Sequence, residues 1–261
     1  MSGQALLSVR GLGKRFGGLQ AVEDLDLDIR AGEIMGVIGP NGAGKSTTFN
    51  MIAGAFPASS GTLTFAGRPL NGLPSHEIAA RGIMRTFQHN KPFAGMSVRE
   101  NVMVGMHNRF RSSLWQVLAG LPKAARTERE AEIHADELIG FVGLGDWREA
   151  DVTTLSFGQG RLLEIARGLA GQPQLMMFDE PAAGLTQAEC ERVSDIIKKI
   201  AAQGIAVLVI EHDMRFLLPL AHRVTVLNFG RKIAEGTPDE IRAHPEVIAA
   251  YLGNVGGLAN A

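Results

Sequence analysis

Leu25, Leu27 and Ile29 are apolar, while Asp26, Asp28 and Arg30 between them are polar. That period of two predicts a half-buried strand. Thr62 to Phe65, set between Gly61 and Gly67, predicts another. Ile34 to Ile38 has no polar member, as expected of a central strand covered on both faces. It runs into a glycine-rich turn and a helical segment from Ser46 to Ala53, closed by Gly54. From about His89 to Thr154 the period changes. Ala131, Ala135, Leu138, Ile139 and Val142 recur at helical spacing among Glu128, Arg129, Glu130, Glu132, Asp136 and Glu137, which predicts an amphipathic helix with a solvated charged face in a helical subdomain. The last third alternates. Leu162, Ile165, Ala166 and Leu169 make a helical stripe that ends near Gly171 and Pro173. Leu175 to Phe178 reads as a buried strand, Val193, Ile196, Ile197 and Ile200 as a helix, and Ile205 to Ile210 and Val224 to Leu227 as strands. A turn at Asn228 to Arg231 leads into a short strand, Lys232 to Ala234. Strands alternating with helices imply a mainly parallel sheet covered by helices.

Composition narrows the function. The 261 residues carry a net charge of −1, so no dominant nucleic-acid footprint is expected. Cys190 is the single cysteine, which excludes an intramolecular disulfide framework. No apolar run approaches the roughly 20 residues of a spanning helix, and the first residues do not resemble a secretory signal. The histidines have no zinc-ligand spacing. Glycine is in excess, 32 residues against an average of roughly 7%, and without a period it points to tight turns and backbone lying close to a ligand.

Three motifs carry chemistry. Gly39-Pro40-Asn41-Gly42-Ala43-Gly44-Lys45-Ser46 fits the phosphate-loop spacing G-x-x-x-x-G-K-[ST]. Glycines let backbone N–H groups turn inward around phosphate oxygens, and the following helix adds its positive end. Lys45 then reaches the terminal phosphates and the Ser46 hydroxyl can ligate Mg²⁺. The apolar run ending in Asp179-Glu180 puts two carboxylates at a strand end, Asp179 suited to Mg²⁺ through water and Glu180 to orienting or deprotonating the attacking water. Leu155-Ser156-Phe157-Gly158-Gln159 precedes a helix, where Ser156 is a good N-cap and Gly158 permits close backbone approach. Taken alone it reads as a helix cap and nothing more.

In this order, with Glu211-His212 farther on, the motifs resemble the ATP-binding cassette family over essentially the whole chain, LSFGQ being similar to that family's LSGGQ signature. The resemblance implies an α/β fold: a phosphate-loop (RecA-like), mainly parallel core with an N-terminal antiparallel β subdomain and an inserted helical subdomain. It implies one cassette over 5–255, with the core in 5–88 and 164–235, the helical subdomain in 89–163, and a C-terminal helix and tail in 236–261. The resemblance further implies ATP held by Phe16, by Gly39 through Ser46, by Thr47 and Gln88, and by Ser156, Gly158 and Gln159 acting across a head-to-tail dimer. Mg²⁺ would be held by Ser46, Gln88 and Asp179, and Glu180, His212 and Lys45 would be catalytic. Two positions depart from the family: Phe157 stands where the signature has Gly, and Ala183-Gly184-Leu185-Thr186 stands where many members have a segment ending in Asp. Thr186-Gln187-Ala188-Glu189 is itself a capping box for the next helix.

Within the family, Arg85-Thr86-Phe87-Gln88-His89, Met96 to Val102, Glu180 to Leu185, Ile210 to Met214 and Ala250 to Gly253 are similar to the ATPase subunits of bacterial branched-chain amino-acid importers, the Glu-His-Asp-Met stretch to the larger of the two. That implies an ATPase peripheral to the cytoplasmic face of the inner membrane. Its partners would be transmembrane permease subunits, a second ATPase subunit in a homo- or heterodimer and, indirectly, a periplasmic binding protein, with no nucleic acid. The ATPases of urea or short-amide importers and of the lipopolysaccharide exporter share parts of these motifs. Cassettes acting on nucleic acid form the remaining alternative, although those usually carry tandem cassettes or a long coiled coil, and this chain has no sustained heptads.

Overall fold

The apolar run Ile34–Ile38 (β3) is buried at every position and lies at the centre of a six-stranded sheet. In this computed structural model, which describes residues 5–86, 92–106 and 122–252 with side chains given only from 128 to 251 in the last stretch, β3 pairs in parallel with Ala206–Ile210 (β8) on one side and Arg223–Asn228 (β9) on the other. β8 continues to Leu175–Asp179 (β7), and β7 to Ile83–Arg85 (β6), all parallel. Arg231–Gly236 (β10) closes the β9 edge antiparallel. The strand order β10-β9-β3-β8-β7-β6 brings the carboxyl ends of β3, β7 and β8 together, the place where an open parallel sheet binds its ligand.

A second, antiparallel sheet has the order β2-β1-β4-β5, from Leu7–Phe16 (β1), Leu19–Ile29 (β2), Ser60–Phe65 (β4) and Arg68–Pro69 (β5). The alternation at Leu25, Leu27 and Ile29 buries those three side chains. Their core also holds Met35 and Val37 of β3, Phe49 and Ile52 of Lys45–Ile52 (α1), and Met177 of β7. β1 was not expected. Its register shifts between Val9 and Leu12 and again between Leu12 and Lys14, so no simple alternation appears in its sequence.

The other face of the main sheet is covered by Gln187–Ala202 (α6), Phe157–Ala170 (α5), Pro122–Val142 (α4) and Val98–Val104 (α3). Val193, Ile196, Ile197 and Ile200 are buried as their spacing requires, and so are Ala131, Ala135, Ile139 and Val142. The charged side of α4 is not wholly solvated, because Arg99 of α3 donates to Asp136 at 2.8 Å and also pairs with Glu149. Ser75–Ala80 (α2), Met214–Leu217 (α7), Pro238–Ala243 (α8) and Pro245–Leu252 (α9) complete the described α-helices, and short 3-10 turns lie at Gly145–Trp147 and Val152–Thr154. No described helix is long and apolar enough to cross a membrane.

Candidate functional site

The phosphate loop joins β3 to α1, and its glycines have left-handed or extended backbone that a side chain would oppose. Gly39 has φ 154°, and a Cβ there would run into the Leu227 carbonyl. Gly44 has φ 98° and is the N-cap of α1, with no side chain accepting from the helix start. The first N–H groups of α1 are therefore uncapped donors, as a phosphate site needs. Lys45 is buried, and its ammonium donates to the carbonyls of Gly39 at 2.7 Å and Pro40 at 3.0 Å. Burial holds its pKa below the ordinary lysine value, opposed by the charges of Glu180, Asp179 and Glu211. The loop cation and three carboxylates thus share one site. Ser46 is exposed in the first turn of α1, while Thr48 turns inward and donates to the Gly44 carbonyl at 3.0 Å.

Asp179 ends β7 buried, and its Oδ2 accepts from Arg85 Nη2 at 2.8 Å. Arg85 also donates to Asn50 of α1 at 2.6 Å and lies 5.0 Å over the Phe49 ring. One guanidinium at the end of β6 therefore ties the phosphate-loop helix to the Asp179 carboxylate. Sequence reading gave Arg85 no role of its own. The only signal was a charged residue closing a short apolar strand.

Glu180 follows with φ 49°, a strained value for a residue with a side chain. Its N–H donates to Ile210 O at 2.9 Å, which pins it to the end of β8. His212 Nδ1 lies 3.5 Å from Glu180 Oε1. Phosphate loop, Asp179, Glu180 and His212 thus converge at the carboxyl ends of adjacent strands. Phe16 ends β1 about half exposed, with its ring edge-on to Phe56 at 5.5 Å. Gln88 lies outside the described residues.

Ser156 is the N-cap of α5. Its hydroxyl accepts from Gln159 N–H at 3.2 Å, and Gln159 accepts from Ser156 N–H at 2.8 Å, a complete capping box. Both side chains therefore fix the helix start while Ser156 stays exposed. Gly158 is buried, and a Cβ on it would overlap the Glu189 carboxylate. The close approach expected of this glycine occurs within the chain, against α6. The Thr186–Glu189 capping box is also formed. Phe157, in the place of the usual glycine, is exposed beside Gly184 and Arg161.

Residues 22–183 match the profile of the ABC transporter family, and residues 231–256 match that of the branched-chain amino acid ATP-binding cassette transporter. The chain belongs to the ATP-binding cassette transporter family, as an ATP-binding ATPase subunit. It is 42% identical to the high-affinity branched-chain amino acid transport ATP-binding protein LivG of Salmonella typhimurium, across 96% of this chain and 98% of that one. To BraF of Pseudomonas aeruginosa, described in the same words, it is 39% identical across 95% and 98%. The crystal structure of an ABC-transporter cassette in its ADP conformation superposes with a TM-score of 0.83 at 29% identity, over 96% of this chain and 99% of that chain.

Proposed function

We propose that this subunit hydrolyses ATP to drive the import of branched-chain or related amino acids. The observation that carries the solute class is the profile match over residues 231–256, which spans β10, α8 and α9, together with the likeness to LivG and BraF. In this reading ATP lies with its phosphates on the uncapped start of α1 and its adenine against Phe16. Lys45 leaves the Gly39 and Pro40 carbonyls for the terminal phosphate. Ser46, Asp179 and Gln88 would hold Mg²⁺, which would supply positive charge to the phosphates. The chemistry of the donors fits a hard cation, a hydroxyl with a buried carboxylate whose Oδ2 accepts from Arg85. Glu180 takes the proton of the attacking water, and His212 beside it donates to the γ-phosphate.

The signature of a second subunit, beginning at Ser156 with Gly158 and Gln159, would close over that phosphate in a head-to-tail dimer. Closure then depends on ATP, and reopening follows hydrolysis. Phe93 and Met96 are partly exposed in the segment that follows Gln88. Phe93 lies 5.5 Å over the Arg167 guanidinium of α5, so this surface adjoins the signature helix and suits a permease helix on the cytoplasmic face of the membrane. The test is uptake by proteoliposomes holding this subunit with branched-chain amino-acid permease subunits and a binding protein from the same organism. ATP-dependent accumulation of labelled leucine or isoleucine is expected. Accumulation of urea or acetamide with no leucine uptake would overturn the solute assignment.

A further inference from the structure

Glu211 is 1% exposed, a carboxylate at the end of β8 immediately before His212. Nothing above requires a charge there. Its Oε1 accepts from Ala182 N–H at 2.9 Å and its Oε2 from His212 N–H at 3.2 Å. Its own N–H donates to Val37 O of β3 at 3.3 Å. The residue therefore joins three segments: the strand that enters the phosphate loop, the turn after Glu180, and the histidine beside Glu180. Burial pushes its carboxyl pKa up, and the backbone donors oppose that.

The turn it holds borders a groove of about 660 Å³, lined by Ala182 to Leu185, α6 and the residues after β8. Bonds within the turn run from Ala183 N–H to Glu180 O and from Leu185 N–H to Ala182 O, both at 3.2 Å, and the turn is tied to the strand ends by Glu180 N–H to Ile210 O and Ala182 N–H to Glu211. Glu211 also reaches His212, through Oε2, which lies 3.8 Å from the imidazole Nδ1 besides accepting from the backbone N–H. Both oxygens of a carboxylate accept, whereas an amide of the same size accepts through one and presents N–H groups from the other.

We propose that Glu211 is a positioning residue for ATP hydrolysis: its two oxygens hold the Ala182 turn and the His212 backbone in one register, which keeps the imidazole against Glu180. The proposal rests on the reading of Glu180 and His212 as the hydrolytic pair. In this proposal Glu211 acts through His212.

The experiment compares purified Glu211→Gln, His212→Ala, the double variant and Glu180→Gln for kcat, KM, affinity for a fluorescent ATP analogue, and thermal midpoint. Glu211→Gln is expected to lower kcat by about 10-fold or more, with KM and affinity within about 2-fold. In the His212→Ala background it is expected to cost less than about 2-fold further, because the two act as a unit. A normal kcat, or an undiminished effect in the His212→Ala background, would overturn the proposal. So would joint loss of nucleotide affinity and thermal stability, which marks a merely structural residue. Normal turnover by Glu180→Gln would instead remove the hydrolytic assignment on which the proposal rests, so the two failures are distinguishable.

Discussion

At the residue scale, the proposed function separates groups that bind from groups that react. Lys45 is buried beneath the loop it serves, with its ammonium on two loop carbonyls. Glu180 is held in a strained backbone conformation at the end of β7, with its carboxylate 3.5 Å from His212. Strain kept at a strand end by a backbone bond to the neighbouring strand is expected where a side chain must be aimed. Glu180→Gln preserves shape and removes the basic oxygen. Turnover should fall by roughly 10²-fold or more, with ATP affinity unchanged within a few-fold, as for loss of a general base. Lys45→Ala, in contrast, should weaken nucleotide binding itself. Equilibrium binding and single-turnover hydrolysis measured on both variants check the division, and near-normal hydrolysis by Glu180→Gln would refute it.

At the element scale, the signature segment and the turn after Glu180 are interlocked by capping. Ser156 and Gln159 start α5, Thr186 and Glu189 start α6, and the buried Gly158 leaves room for the Glu189 carboxylate. Gly158→Ala would push Glu189 out of its capping box. Loss of a cap costs about 1 kcal/mol, a drop of about 2–4 °C in the thermal midpoint for a chain of this size. The drop should appear in the nucleotide-free subunit, measured by calorimetry, and an unchanged midpoint would show that Glu189 is not displaced. Both caps are local patterns, which is why sequence reading found them. The buried strands β3, β7 and β8 were legible for a similar reason, since each is a short apolar run with no polar face. β1 was not, because its bulges break the alternation, nor were α2 and α7, which are too short to show a helical period. Arg85 and Glu211 were hidden differently. Their partners lie 94 and 29 residues away along the chain, and a charge at a strand end does not announce which distant group it will meet.

At the scale of the whole molecule, the main sheet gathers every catalytic candidate among the described residues at the carboxyl ends of its inner strands β3, β8 and β7, while Ser156 starts a helix on the covering layer and remains exposed. A signature that caps its own helix so completely does not need a ligand in order to be folded. In the proposed reading it awaits another subunit's phosphates, a complementary surface that a two-fold head-to-tail pairing would satisfy twice. This arrangement predicts complementation between two defective chains. Lys45→Ala disables the phosphate loop, and Ser156→Arg puts a bulky cation at the signature. In a mixed dimer with signatures acting across the interface, both lesions fall in one composite site and the other site is intact. Random pairing at equal amounts makes about half of the dimers mixed, each with one sound site of two, so recovered ATPase should approach about a quarter of wild type where one site turns over alone. If the signature acted on its own chain's nucleotide, every site in every dimer would carry one lesion, and no mixing ratio would restore activity. Titrating one folded, dimerising variant against the other while ATP turnover is followed separates the two arrangements. A flat baseline at all ratios would defeat the head-to-tail pairing.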